Sequence, residues 1–337
     1  MIEYVDLNHA GELDEFVLQH KNCHFMQSSL WGNVKTDWAW HGLICRDDRG
    51  RIRGTMAVLR HDIPSIRTCL LYAPRGPIFH DRDRDVFSEL IDGAKALGKR
   101  FGAYRLRIDP RISSGNELCE KLLLDMGFQI DRSVDFSLFQ PRLCYVLDLR
   151  GKTAEQLMTG YHRSCRYNIH KAQRDGVSVR QGAADDIPIF WDMMKETADK
   201  NGFEPRDIRY YRAILEQMEG NAKLYLAELE KEPLAAAIVV SYGTGCWLLY
   251  SCSYRKGQRY HPNELLQWTA QVDALRAGCC FYDFRGVEGW PLPENPKVGL
   301  HQYKQSFGAK FVTYLGQMDL NLRPVMSKAV DIAYKLL

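Results

Sequence analysis

Residues 57–72, AVLRHDIPSIRTCLLY, and residues 235–250, AAAIVVSYGTGCWLLY, are two apolar runs that each break at a short turn and end in tyrosine. Laid on one another, they carry the following residues into register without a gap. Tyr72 meets Tyr250, Phe87 meets Leu265, Leu90 meets Trp268, Ala94 meets Val272, Tyr104 meets Tyr282 and Arg107 meets Arg285. Each run reads as a pair of strands. An amphipathic helix follows, with apolar residues three and four apart: from about Arg84 to Leu97 before Gly98 in the first copy, and from the N-cap Asn263 towards Gly278 in the second. A short alternating strand closes each copy, AYRLRIDP at 103–110 and FYDFRGVEG at 281–289. The repeat predicts a duplicated α/β (α+β) fold with mixed sheets.

A further helix introduces the second copy. Thr153 with Gln156 forms a capping box, and Leu157, Tyr161 and Ile169 supply an apolar stripe that Gly176 ends. Another helix is expected from about Asp185 to Lys200. The 337 residues exceed what one core usually organises. Two abutting domains follow, residues 1–143 with 317–337 and residues 144–316.

The net charge of +3 says little about partners, but its distribution says more. Arg49, Arg51, Arg53, Arg60, Arg67 and Arg75 face one acid, Asp62; Lys99, Arg100, Arg105, Arg107 and Arg111 face Asp109; and Arg163, Arg166, Lys171, Arg174 and Arg180 face Asp175. Three basic stretches in a near-neutral chain point to local attraction for phosphate or another polyanion. For any one stretch, a solvated arginine face is the plainer account. The 10 cysteines include no C-x-x-C pair, which excludes the usual zinc and iron–sulfur spacings and fits free thiols in a reducing cytosol. No window approaches the length of a membrane span, although contact with a membrane surface stays open.

A duplicated strand–helix–strand unit resembles the GNAT acyltransferase fold, which would imply acyl transfer from coenzyme A. That fold cradles the pyrophosphate in a Q/R-x-x-G-x-G/A turn at a helix N-terminus. The near match here, QSFGAK at 305–310, ends in lysine where a small residue is required. A CoA-dependent N-acyltransferase is therefore the second reading.

Six blocks, in order, resemble the signatures of the FemABX family of peptidoglycan-bridge aminoacyltransferases: HFMQSSLWGNVK (24–35), YAPRGPIF (72–79), LRIDPRI (106–112), RYNIHKAQRDGVSVR (166–180), YDFRGVEG (282–289) and GLHQYKQSFGAKF (299–311). The resemblance runs from about residue 20 to 325. No coiled-coil arm fits between Ala222 and Leu234, which is closer to the compact FemX branch. The resemblance implies two tandem GNAT-like domains and a cytoplasmic enzyme, with the inner face of the plasma membrane also open. It would move an amino acid from aminoacyl-tRNA to the stem-peptide amine of UDP-MurNAc-pentapeptide or lipid II. An aminoacyl ester is already activated, so no cofactor, metal or covalent intermediate is required. The precursor cleft is expected in the first domain and the tRNA end in the second.

Residue by residue, the resemblance places Lys35 and Arg206 on the precursor's phosphates, and Tyr104 and Asp109 along the acceptor cleft. Asp109 is either a base or orienter for the attacking amine, or a turn cap before Pro110. Tyr210, expected on one helical face with Arg206, and Tyr250 match binding positions. Arg163, Arg166 and Lys171 are candidates for tRNA phosphates. Arg285 reads as a structural contact. Tyr303 and Lys304 match the pair at the tRNA acceptor end, where an ammonium would stabilise the charge developing on the ester oxygen. A solvated Lys304 on a strand is the plain alternative.

Overall fold

The two tyrosine-terminated runs become hairpins in the computed structural model, which describes residues 1–80 and 83–336. Its contacts divide the chain into two units: residues 1–143 with the segment from 313 onward, and residues 144–312. The first unit runs β1 (Ile2–Val5), α1 (Gly11–Gln19), α2 (Ser29–Val34), β2 (Ala39–Arg46), β3 (Ile52–Ile63), β4 (Thr68–Ala73), β5 (Ile78–Phe79), α3 (Arg84–Phe101), β6 (Ala103–Ile108), α4 (Glu117–Asp125) and β7 (Gln129–Asp131). The second runs β8 (Leu143–Asp148), α5 (Ala154–Gly160), α6 (Arg163–Arg174), β9 (Ser178–Gln181), α7 (Ile187–Asn201), α8 (Ile208–Gln217), β10 (Ala222–Leu229), β11 (Glu232–Tyr242), β12 (Gly245–Ser253), α9 (Pro262–Arg276), β13 (Phe281–Gly286), α10 (Val298–Ser306) and β14 (Lys310–Thr313). β15 (Gln317–Asn321) and α11 (Pro324–Leu336) return to the first unit.

The sheets share a seven-strand order, β1-β2-β3-β4-β6-β15-β7 and β9-β10-β11-β12-β13-β8-β14, and the first adds β5, which pairs with β3 off that path. In each, a parallel pair joined through a helix, β4 with β6 and β12 with β13, sits among antiparallel neighbours. This is the mixed sheet expected from the sequence repeat. The first unit's core buries Leu43, Met56, Val58, Leu71 and Leu106 against Phe87, Leu90 and Leu97 of α3.

Three local expectations are corrected. Gly98 does not end α3: the helix continues to Gly102, whose φ of 66° gives the left-handed stop. Gly98 instead admits Leu322, whose Cδ1 would lie 2.4 Å from a Cβ added there. α9 is capped from His261, so Asn263 sits in its first turn. The helix expected from Thr153 to Gly176 is two helices. Its capping box is present, but Tyr161 turns extended at ψ 152° and His162 N–H donates to Ser306 O at 2.8 Å, a tertiary bond that competes with helix continuation.

Between β10 and β11 the chain reverses through Glu230 and Lys231 alone, at φ 52° and 69°. Two successive positive φ angles make the tight primed-type hairpin turn, which leaves no room for an arm.

Candidate functional site

The second unit's parallel pair separates early. β12 and β13 are in register from Gly245–Phe281 to Trp247–Asp283, and beyond that point the strands part. Between them opens a pocket of about 380 Å³, lined by Leu248, Tyr250, Phe284, Arg285, Tyr303 and Lys304 among others. A cleft where parallel strands diverge is a common ligand position in α/β folds, because chain ends and loops there leave backbone groups unpaired.

Lys304 lies on α10, not on a strand, and is 6% exposed. Its Nζ donates to three carbonyl oxygens, Phe284 at 2.8 Å, Arg285 at 3.2 Å and Gly286 at 2.6 Å. Those bonds use all three ammonium donors. They also gather the end of β13, where Arg285 adopts φ 63°. Burial pushes the Lys304 ammonium down to about 8. A solvated charge is thus excluded, and so is a freely offered N–H: the ammonium lines the pocket with its donors bonded to the strand end. Tyr303, one residue earlier, packs edge-on against Phe307 and lines the pocket; burial raises its phenol well above the ordinary value.

Arg206, Tyr210 and Tyr250 also gather in this unit. Arg206 precedes α8 because Asp207 caps that helix, so the expected shared helical face does not exist. The residues nevertheless meet, since the Tyr250 hydroxyl receives hydrogen bonds from Tyr210 and from Arg206. Burial raises both phenols, and the charges of Arg206 and Arg285 oppose that rise. Arg285 is therefore a pocket residue, not the purely structural contact expected from its repeat mate. No local pattern marks it; its role depends on the left-handed turn and on where β12 and β13 part.

Of the basic residues on α6, two are engaged within the fold. Arg166 Nη1 donates to the Thr159 and Tyr161 carbonyls at 2.9 and 2.7 Å, closing the C-terminus of α5, and Lys171 pairs with Asp175. Arg163 is exposed at the N-terminus of α6.

The first unit holds the other candidates. Asp109, 1% exposed, accepts from the Tyr72 hydroxyl at 2.7 Å and from Arg75 N–H at 2.6 Å, so its carboxylate closes the turn after β4. Tyr104 is 4% exposed and packs with Leu70 and Val330 and against Trp38 and Met326. A register shift in β6 sets it on the opposite face from Leu106. Lys35 ends α2 with its Nζ 5.6 Å from the Trp31 ring centroid.

QSFGAK closes a helix. α10 ends at Ser306, and Gly308 takes φ 73° beyond it. A helix C-terminus presents carbonyls and the negative dipole end, the wrong polarity for a pyrophosphate.

Among the described residues no group of three His, Cys, Asp or Glu side chains could hold a metal ion. No helix among them is long and apolar enough to cross a membrane.

Comparison with known proteins extends the picture. The chain is 29% identical to the UDP-N-acetylmuramoylpentapeptide-lysine N(6)-alanyltransferase of Weissella viridescens, over 92% of this chain and 93% of that one. It is 24% identical to the lipid II:glycine glycyltransferase of Staphylococcus epidermidis, over 94% and 92%. In fold it is similar to the crystal structure of FemX, with a TM-score of 0.88 at 21% identity over 98% and 99% of the two chains. It is also similar to a tandem GNAT protein from the clavulanic acid biosynthesis pathway, with a TM-score of 0.58 at 12% identity over 96% and 99%. Residues 9–232 and 230–335 match the FemAB family. A match along nearly the whole chain, on two GNAT-like units, leads to one conclusion: the chain belongs to the FemAB family.

Proposed function

We propose that this aminoacyltransferase takes its amino acid from aminoacyl-tRNA and passes it to the stem-peptide amine of a peptidoglycan precursor, UDP-MurNAc-pentapeptide or lipid II, building the interpeptide bridge. The observation that carries the reading is the second unit's pocket, with aromatic walls and a buried lysine held at its edge. It suits an aminoacyl ester on a nucleotide end: Tyr250 and Tyr303 offer faces for a ribose or base, and Arg285 and Lys304 offer positive charge. Family membership and the two transferase relatives support the same chemistry.

In the proposed reaction the acceptor amine attacks the ester carbonyl, an alkoxide develops, and the tRNA ribose hydroxyl leaves. Positive charge at the pocket edge lowers the barrier to that alkoxide. Lys304 does so through its field while bonded to the three strand carbonyls, and Arg206 with Tyr250 contacts phosphate. Asp109 orients the acceptor side by holding the Tyr72 and Arg75 turn. Arg163 is the α6 cation best exposed for tRNA phosphate.

The test is one panel of purified protein, UDP-MurNAc-pentapeptide or lipid II, and total tRNA charged with one labelled amino acid at a time. Labelled precursor from at least one pair is expected. Transfer from acetyl-CoA, with none from any charged tRNA, would overturn the reading.

A further inference from the structure

Two of the sequence blocks, YAPRGPIF and LRIDPRI, meet at a second cavity, in the first unit. β4 and β6 run parallel as far as Ala73–Ile108. Past that level Pro74 and Pro77 on one path and Pro110 on the other cannot extend the ladder. The diverging segments enclose about 250 Å³, with Ile78 and Phe79 as apolar wall and Arg75, Arg111 and Asn116 as polar lining. This is the first unit's counterpart of the transferase pocket, at the same place in the repeat. Cys119, the third residue of α4, lines it as Leu300, the third residue of α10, lines the other.

Arg75 is the unusual group there. It is 4% exposed, with φ 59°. Its guanidinium spends Nη1 on Asp109 O at 3.3 Å and Nη2 on Pro141 O at 2.8 Å, and its Nε has no partner. Thus two of five donors are bonded, both to neutral carbonyls. The Asp109 carboxylate sits on the backbone N–H of Arg75 and not on its guanidinium, so an entering anion would fill side-chain donors, the buried Nε among them, that now lack one. The apolar wall beside it favours an anion with a small hydrophobic body over a fully hydrated phosphate.

We propose that this cavity binds the C-terminal carboxylate of a short peptide. The site rests on Arg75 and the cavity; the identity of the ligand rests on the acceptor proposed above, whose pentapeptide ends in such a carboxylate. Binding there would make the enzyme prefer acceptors with a free, unextended stem terminus.

Alkylation of Cys119 by iodoacetamide, followed by mass spectrometry of the full chain, reads occupancy directly, with Cys280 as an internal control in the other unit. The probes are acetyl-Ala-Ala in both configurations, its C-terminal amide, and inorganic phosphate. At ten times its dissociation constant, the dipeptide acid is expected to slow Cys119 alkylation about tenfold. The amide and phosphate should leave it unchanged, and Arg75→Met should abolish the protection. Should that variant fail to fold, Cys119→Phe fills the cavity without touching the charge, and calorimetry should then find no dipeptide binding. Protection by the amide or phosphate equal to the acid's, or none by the acid, overturns the proposal. Binding that survives Cys119→Phe overturns it too. The assay contains no tRNA and no transfer step, so its failure would leave the transfer reading to its own panel.

Discussion

The two units share a strand order and differ at one helix position. α4 follows β6 and precedes the edge strand β7; α10 follows β13 and precedes β14. Both helices have nine residues, and the seventh is Leu123 in one and Lys304 in the other. Leu123 is fully buried in the core beside a parallel pair that, after one shift near its start, stays in register to Ala73–Ile108. Lys304 is buried beside a pair that parts after Trp247–Asp283. The arginines that the repeat superposes diverge in step: Arg107 stays extended and pairs with Asp319 at 2.7 Å, whereas Arg285 turns left-handed and lines the pocket. A core position exchanged for a cation thus accompanies an earlier parting of the strands, and the first unit, whose pair runs on to Ala73–Ile108 before its own cavity, shows the frame without that cation.

Swapping those positions is the strongest way to break the comparison. Leu123→Lys puts an ammonium into a core that offers it no gathered carbonyls, and urea unfolding should register a loss of about 3 to 5 kcal/mol. A loss below 1 kcal/mol would mean that the first unit can also open to hold a cation. The reverse change, Lys304→Met, should keep the circular dichroism of the wild type and lower kcat about 10²- to 10³-fold. Near-normal turnover would reduce Lys304 to a strand clamp.

Asp109→Asn tests the first unit's turn. An amide cannot accept from both Tyr72 and Arg75 as the carboxylate does, so thermal unfolding should show a loss of about 1 to 3 kcal/mol. If kcat well below the midpoint falls by far more than a modest factor, Asp109 is a base as well as a brace.

The pH profile gives the gentlest test. Burial lowers the Lys304 ammonium from 10.5 to about 8, so the unfolded chain holds that proton more tightly than the native one. The stability contribution of Lys304 therefore rises as pH climbs from about 8 to 10.5. Activity should run the opposite way: if the ammonium is the working form, log kcat should fall by about one per pH unit above 8. A flat profile through that range would remove the charge from the mechanism.

Much of the frame is legible in residues alone. The register from Tyr72–Tyr250 to Arg107–Arg285 and the Thr153–Gln156 capping box follow from local pattern, whereas the two-residue β10–β11 turn, built from Glu230 and Lys231, carries no turn signature in the sequence. Sequence spacing failed where a distant group outbid local preference: Leu322 packs on Gly98 and so removes it as a stop, and Ser306 captures His162 and so splits one helix into two. The site divides the same way. Resemblance marked Lys304, Tyr303, Tyr250, Arg206 and Tyr210, and the fold gathers them in one unit; it also marked Tyr104, which the fold packs into a hydrophobic cluster. Arg75 carried no role in the sequence, because nothing in a string of residues reports an unpartnered Nε.

By itself, the sequence determined the duplication, the strand and helix order and the residue types able to meet an anionic acyl donor, since these depend on periodicity and on chemistry carried by each side chain. Only the tertiary structure decided where each parallel pair parts, and with it which cation is sealed, which is spent on carbonyls and which faces a cavity. Those outcomes depend on contacts between residues far apart in the chain: Lys304 with residues 284–286, Arg107 with Asp319, and Arg75 with Pro141.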